Sequence, residues 1–231
     1  MSLAGLGAVA IWHDLVPEAK DDFYEWHNRE HMPERVGIPG FRRGRRYRAV
    51  SGAPEFFNLY EADSPEVLGG QDYLNRLDAP TEGTRRVVPS FRNVARSVCR
   101  VVYTDGPGQG GFMATQRHDI APERRAAAIA ALRGQWLPAL ATHRGVTGVH
   151  LCVADEAVSG METLEKRARA DTTAVPTTIV LIEGSSMRDV EAAAGALLAG
   201  WRAGAGEPVA TPDTALYQLE YARCKTPWAA G

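Results

Sequence analysis

The run Phe23-Tyr24-Glu25-Trp26-His27-Asn28-Arg29-Glu30-His31-Met32-Pro33-Glu34-Arg35 concentrates the residues best able to do chemistry. His27 and His31 are four apart, so a helix presents both on one face, with Tyr24 one turn earlier and Trp26 beside them. An imidazole that titrates near neutral pH inside a cleft suits general acid–base catalysis. Glu30 stands next to His31 and is the candidate to orient its ring. Pro33 disfavours helical geometry at Met32, which puts His31 near a helix end or kink, where exposed carbonyls favour a cationic ring. His27 to His31 also spells H-x-x-E-H, the inverted zinc-protease signature. That reading is rejected: a third ligand is missing, Pro33 interrupts the turn, and no second acidic motif follows. The histidine pair could at most hold a metal adventitiously. The plain alternative is a pair of hydrogen-bonded structural histidines.

The next segment, Phe41-Arg42-Arg43-Gly44-Arg45-Arg46-Tyr47-Arg48, reads as a strand. Alternation sends Arg43 and Arg45 to one face and Arg42, Arg46 and Arg48 to the other. Guanidinium groups that are not freely solvated need carboxylates or an anionic ligand, and Asp22, Glu25 and Glu30 are the expected partners. Arg43, Arg46, Tyr47, Asn58 and Tyr60 join Tyr24, Trp26 and His27 as candidate substrate-binding residues, with His31 and Glu30 as the catalytic pair. His13-Asp14 is assigned a structural job, with Asp14 satisfying local backbone donors at a strand-to-helix turn.

What must position these residues emerges from an internal duplication. His13-Asp14-Leu15-Val16-Pro17-Glu18 returns as His118-Asp119-Ile120-Ala121-Pro122-Glu123, 105 residues on. Tyr60-Glu61-Ala62 matches Ile182-Glu183-Gly184 at a shift of 122, so the second copy carries 17 extra residues between about Asp155 and Pro176. The copies span residues 1–105 and 106–231, joined by the loop-like run Asp105 to Gly111. Copy one is predicted as strand Leu6–Trp12, helix Glu18–Met32, strands Phe41–Val50 and Glu55–Ala62, helix Pro65–Leu77 and strand Asn93–Tyr103. Copy two is predicted as strand Gly111–His118, helix Pro122–Thr142, strands Val146–Ala154 and Thr177–Glu183, helix Met187–Trp201 and strand Ala215–Arg223. This order is that of a ferredoxin-like unit, a four-stranded antiparallel sheet with helices on one face. The expected fold is α+β: two tandem βαββαβ repeats whose sheets pack into one pseudo-dimeric barrel within a single chain. Segment Leu77–Phe91 is expected to be a long surface loop, with a pocket cover as the alternative.

The duplication also supplies an internal control. Tyr24, His27 and His31 fall on Ile129, Leu132 and Trp136, Glu30 on Gln135, and Asn58 and Tyr60 on Val180 and Ile182. Copy one is polar where copy two is an ordinary apolar core, which places the site in copy one.

Composition narrows the class. The 231 residues carry 26 Lys+Arg against 28 Asp+Glu, a net charge of -2 that is balanced in both copies. A general role on nucleic acid or an anionic membrane is therefore not expected. No apolar run is long enough to span a membrane, and three well-separated cysteines read as reduced core residues of a cytoplasmic protein.

The pattern Trp26-x-x-x-Glu30-His31-x-Pro33-Glu34-x-x-x-x-Pro39-Gly40-Phe41, followed by Arg45-Arg46-Tyr47, resembles EthD-like members of the dimeric α+β barrel superfamily. The resemblance covers roughly the first hundred residues; copy two matches only in architecture. That superfamily includes muconolactone-type isomerases, polyketide cyclases, cofactor-free monooxygenases, haem-degrading enzymes and chlorite dismutase-like proteins. The resemblance implies that His31 sits at the mouth of a cavity between the first helix and the sheet, and His27 lies outside the shared pattern. Three functions follow as expectations. The first is a cofactor-independent enzyme on a small aromatic or polyketide-like carbonyl or carboxylate, with His31 moving a proton. The second is haem binding through a histidine. The third is a non-catalytic small-molecule-binding module. The partner expected is a small-molecule ligand, and further homo-oligomerisation stays open.

Overall fold

The computed structural model describes residues 3–170, 172–204 and 211–226. The first half runs β1 (Gly7–Leu15), α1 (Lys20–Trp26), a π-helical turn (His27–His31), α2 (Met32–Gly37), β2 (Phe41–Ser51) and β3 (Phe56–Ala62). It continues through α3 (Pro65–Leu68), α4 (Gln71–Asp78) and α5 (Glu82–Val87) to β4 (Phe91–Asp105). The second half runs β5 (Phe112–His118), α6 (Pro122–Ala131), a second π-helical turn (Leu132–Trp136), α7 (Leu137–Ala141) and β6 (Val146–Ala154). It ends with α8 (Glu156–Gly160), α9 (Leu164–Arg167), β7 (Thr178–Gly184), α10 (Met187–Gly204) and β8 (Asp213–Cys224).

All strands join one closed antiparallel barrel in the order β1-β3-β2-β8-β5-β7-β6-β4. Each half contributes the ferredoxin-like order, β4-β1-β3-β2 and β8-β5-β7-β6, and the halves close on each other through β2–β8 and β4–β6. The chain is thus a pseudo-dimer within one polypeptide. Closure removes every free sheet edge. Among the described residues no helix is long and apolar enough to cross a membrane.

Strand alternation assigns each side chain to the barrel interior or to the layer beneath the helices. On β1, Ala8, Ala10 and Trp12 enter the interior cluster with Tyr47, Phe57, Leu59 and Tyr217. Val9 instead packs outward under the helices with Met32, Phe41 and Tyr60. The interior also holds a charged layer. Arg43 Nε and Nη2 donate to Glu61 at 2.8 and 2.6 Å, and Arg45 Nε reaches the same carboxylate at 3.0 Å. Arg45 Nη1 and Nη2 cross to Glu183 of the other half at 2.8 and 3.1 Å, where His150 Nε2 also binds at 3.1 Å. The arginines therefore pair with strand carboxylates; the helical Asp22, Glu25 and Glu30 proposed from sequence are not their partners. Burial alone would raise the Glu183 carboxyl, but Arg45 and His150 hold it down to about 2.

Three helical details differ from the sequence expectation. The first helix does not stop at Met32: the π turn intervenes and α2 continues to Gly37. Met32 N–H bonds to His27 O, five residues back, and Leu137 N–H bonds to Leu132 O in the second half. Pro33 and Pro138 follow these turns, and the wider turn relieves the clash a proline ring makes with the carbonyl four residues earlier. The helix predicted over Pro65–Leu77 is broken at Gly69-Gly70 into α3 and α4. The segment predicted as a loop contains α5, capped by Thr81, whose hydroxyl accepts from Thr84 N–H at 3.1 Å.

Candidate functional site

Beneath α1 and its π turn lies a small cavity of about 20 Å³. The first half lines it with Trp26, His27, His31, Asn58 and Tyr60. The second half adds Glu165 and Arg169, both from the 17-residue insertion, of which Asp171 lies outside the described residues. Segment 77–91 closes another side with Val88 and Phe91. Segment 77–91 and the insertion thus both reach the first half's site.

The outward face of β3 and the inward face of the helix set the chemistry. Arg46 Nη1 can only donate, so His27 Nδ1 accepts from it at 3.1 Å and Nε2 carries the proton. Nε2–H then bonds to the Tyr60 hydroxyl at 3.1 Å. Asn58 Nδ2 donates to His13 Nε2 at 3.0 Å, while His13 Nδ1–H meets the carbonyl of Asp14 at 3.2 Å. His13 lies flat on Phe91, ring centroids 4.1 Å apart, and burial lowers its pKa to about 3. It is a buried positioning group for Asn58. Asp14 serves distant groups, accepting from Glu55 N–H at 2.7 Å and from Asn93 Nδ2 at 2.8 Å. Sequence reasoning gave His13 and Asp14 only a local turn role.

His31 is 6 % exposed and stacks against Trp26 at 4.2 Å between centroids. Burial, reinforced by the charges of Arg35 and Arg169, holds its pKa well below the ordinary value, so the ring is neutral at pH 7. His27 is shifted the same way by burial and by His31 and Arg46. Four cavity-lining residues have a buried polar atom with no hydrogen-bond partner among the described residues: Trp26 Nε1, His31 Nδ1, Asn58 Oδ1 and Arg169 Nε. Buried polar atoms are rarely left so, and four around one cavity make a polar place that bound water or a polar ligand would satisfy.

The structure divides the residues proposed from sequence. It brings Trp26, His27, His31, Asn58 and Tyr60 together. Arg46 stands behind them, holding His27, Asn28 Oδ1 at 2.8 Å and Glu220 at 3.1 Å. Tyr24 packs over the Arg46 guanidinium at 4.6 Å and binds Glu220, outside the cavity. Arg43 and Tyr47 belong to the barrel interior, across the sheet from His31, because odd and even positions of β2 face opposite ways. Glu30 does not orient His31; its carboxylate accepts from the Thr81 hydroxyl at the start of α5. Sequence reasoning missed Glu165 and Arg169. Their only signal was charge within a segment that has no counterpart in the first half.

His27 offers no free ring nitrogen to a haem iron, since Nδ1 accepts from Arg46 and Nε2 meets Tyr60. Among the described residues no group of three or more His, Cys, Asp or Glu side chains is placed to hold a metal ion. At the equivalent place in the second half, Leu132, Val180 and Ile182 pack with Trp136 into an apolar cluster.

The sequence matches no protein-family model. No curated protein matches it at a significant level. Solved structures do match, over nearly the whole length. An "anthrone oxidase-like protein" has TM-score 0.62 at 16% identity, covering 98% of this chain and 96% of its own. A "putative monooxygenase" from Fusobacterium nucleatum subsp. nucleatum ATCC 25586 has TM-score 0.60 at 11% identity, covering 96% of each chain. A second one, from Lactobacillus acidophilus NCFM, has TM-score 0.57 at 9% identity, covering 95% of this chain and 96% of its own. The chain has the dimeric α+β barrel fold. At these identities the likeness speaks to fold alone.

Proposed function

We propose that the protein is a tandem, EthD-like barrel enzyme, divided near residue 105, that needs no cofactor and abstracts a proton beside the carbonyl of a small aromatic or polyketide-like substrate. Proton abstraction is the step that cofactor-free isomerases, cyclases and monooxygenases have in common. The observation that carries the reading is the set of unpartnered polar atoms around His31 in the first half, where the second half places Leu132, Val180 and Ile182, with buried Gln116 and His118 beside them. A neutral, desolvated His31 accepts the proton. The enolate formed beside it raises the ring's proton affinity, so base and anion stabilise each other as charge develops. Trp26 Nε1–H is a donor for the new oxyanion. Tyr60 accepts from His27, which leaves its own hydroxyl proton to donate. Asn58, fixed by His13, orients the substrate through Oδ1. The substrate enters by displacing the covering segments, since the cavity as it stands holds about 20 Å³. A structural neighbour described as an "anthrone oxidase-like protein" is the reason an aromatic polyketide is the first substrate class to test.

The test is exchange of the acidic C–H protons of anthrone and 2-tetralone in D₂O, followed by NMR. The expected outcome is exchange well above the buffer rate that falls about 100-fold in His31→Gln, the usual worth of a positioned base, with folding retained. Exchange unchanged by H31Q, or binding without exchange, would favour the non-catalytic binding module.

A further inference from the structure

We infer that this site takes its substrate as an anion, a carboxylate or phenolate, and that Arg169 from the second half binds the negatively charged group. The inference rests on the proposed reading of the cavity and adds the charge of its ligand. Arg169 lies on a strap held at both ends. Leu164 N–H is bound to Asp78 Oδ1 at 2.9 Å, and Ala174 exchanges two backbone hydrogen bonds of 2.9 Å with Val94 and Arg96 of β4. Between these anchors the Arg169 side chain is 5% exposed and lines the cavity with His31.

The guanidinium is occupied at one end only. Nη1 donates to Thr173 Oγ1 at 3.1 Å. Among the described residues Nε has no partner, and Nη2 has only the Glu165 carboxylate at 4.0 Å, beyond hydrogen-bond reach. Nε and Nη2 form the side-on edge that grips a carboxylate with two parallel hydrogen bonds. Among the described residues only Glu165 and Glu34 lie near enough to offset the charge, and both are drawn to other cations. Glu165 is committed to Arg35, which it meets in a short charged contact. Glu34 is shared between Arg35 and Arg76. Arg96, also buried, binds the Tyr73 hydroxyl, not a carboxylate, at 3.1 Å. Arg35, Arg96 and Arg169 therefore face Glu165 and the less deeply buried Glu34, a local excess of positive charge in a poorly solvated place. Burial and Arg96 lower Arg169 to about 10, the mark of a cation short of counter-charge. The histidines do not relieve it, being neutral.

The experiment is titration calorimetry at pH 7 with 2-naphthoate and its neutral isostere 2-naphthamide. Wild-type protein is expected to prefer the carboxylate by at least about tenfold. Arg169→Gln should bring the two affinities within about twofold of each other, the carboxylate losing more than the amide. Arg169→Lys should restore part of the preference, since an ammonium keeps the charge and loses the fork. Should R169Q not fold, R169K alone decides, because full retention of the preference would contradict the fork. Equal binding of both probes by wild type, or a preference that survives R169Q, overturns the inference and leaves the proton-transfer reading standing if exchange still depends on His31. Binding of neither probe overturns the inference and the cavity reading together.

Discussion

The two halves share a backbone down to an irregular turn and then diverge in what they put beneath it. Each has a π turn after its first helix, at His27–His31 and at Leu132–Trp136, with a proline two residues beyond. Under the second turn lies an apolar core of Leu132, Val180 and Ile182. Under the first lie His27, His31, Asn58 and Tyr60 around a cavity with unpartnered polar atoms. The fold therefore does not require the polar set, since one chain builds the same architecture without it. What the scaffold leaves open, chemistry has filled on one side only. Inside the barrel the contrast disappears. Glu61 and Glu183, which correspond under the duplication, both bind Arg45, and His150 stands where the duplication maps Arg45.

The sharpest way to separate the shared interior from the divergent outer face is to break the former. Arg45→Ala leaves Glu61 and Glu183 facing each other with much of their counter-charge gone, both fully buried. Loss of one partner from such a network costs about 3–5 kcal/mol. Urea unfolding should show that loss, while His31→Gln, on the outer face, should move stability by less than about 1 kcal/mol. Equal effects from the two variants would mean that the polar site, too, is part of what holds the barrel together.

A second effect, also large, depends on pH and falls mainly on the first half. His13 is held neutral by burial, with its pKa near 3, and His27 and His31 are lowered as well. The second half contributes His118, lowered by burial to about 4. Each native pKa lies below the unfolded value near 6.5, so the unfolded chain binds more protons in between. The stability held by these neutral rings is complete above about pH 6.5 and is lost as pH falls toward their native values. For His13 alone the loss at pH 5 is about 2 kcal/mol. Stability measured from pH 7.5 to 5 should fall steeply, and His118→Leu should remove only a minor share of the slope. A flat profile would show these rings to be solvated or paired with acids.

The strands and their alternation were legible because turn residues bound each run and period two is strict. The polar-for-apolar exchange at His27, His31, Asn58 and Tyr60 was legible because the second copy served as a reference. Alternation did not reveal which face of β2 met the helix layer, since neither face is solvated. Arg43 and Tyr47 were therefore grouped with residues on the far side of the sheet. Arg169 and Glu165 lay in a segment with no counterpart, so no comparison within the chain could flag them. The π turns left no trace either, because a proline after a helical run signals an end and a bulge equally well.

The smallest expected effect concerns Glu30, and it decides what one side of the cavity is for. Its carboxylate accepts from the Thr81 hydroxyl and lies against Gly83, where an added Cβ would come within 2.5 Å of Oε2. Among the described residues of the second half one continuous α10 stands where the first half has α3 and α4, and Gln135 stands for Glu30. Glu30 then serves to clamp α5 over the cavity. Thr81→Val, which removes both the helix cap and the clamp, should cost about 1 kcal/mol. Glu30→Gln should cost less, because an amide oxygen still accepts from the hydroxyl. Neither should change His31-dependent exchange by more than about threefold, whereas a proton-transfer partner would show losses of about 100-fold. A loss of that size in E30Q with normal exchange in T81V would return Glu30 to the reaction and make its contact with Thr81 a resting position.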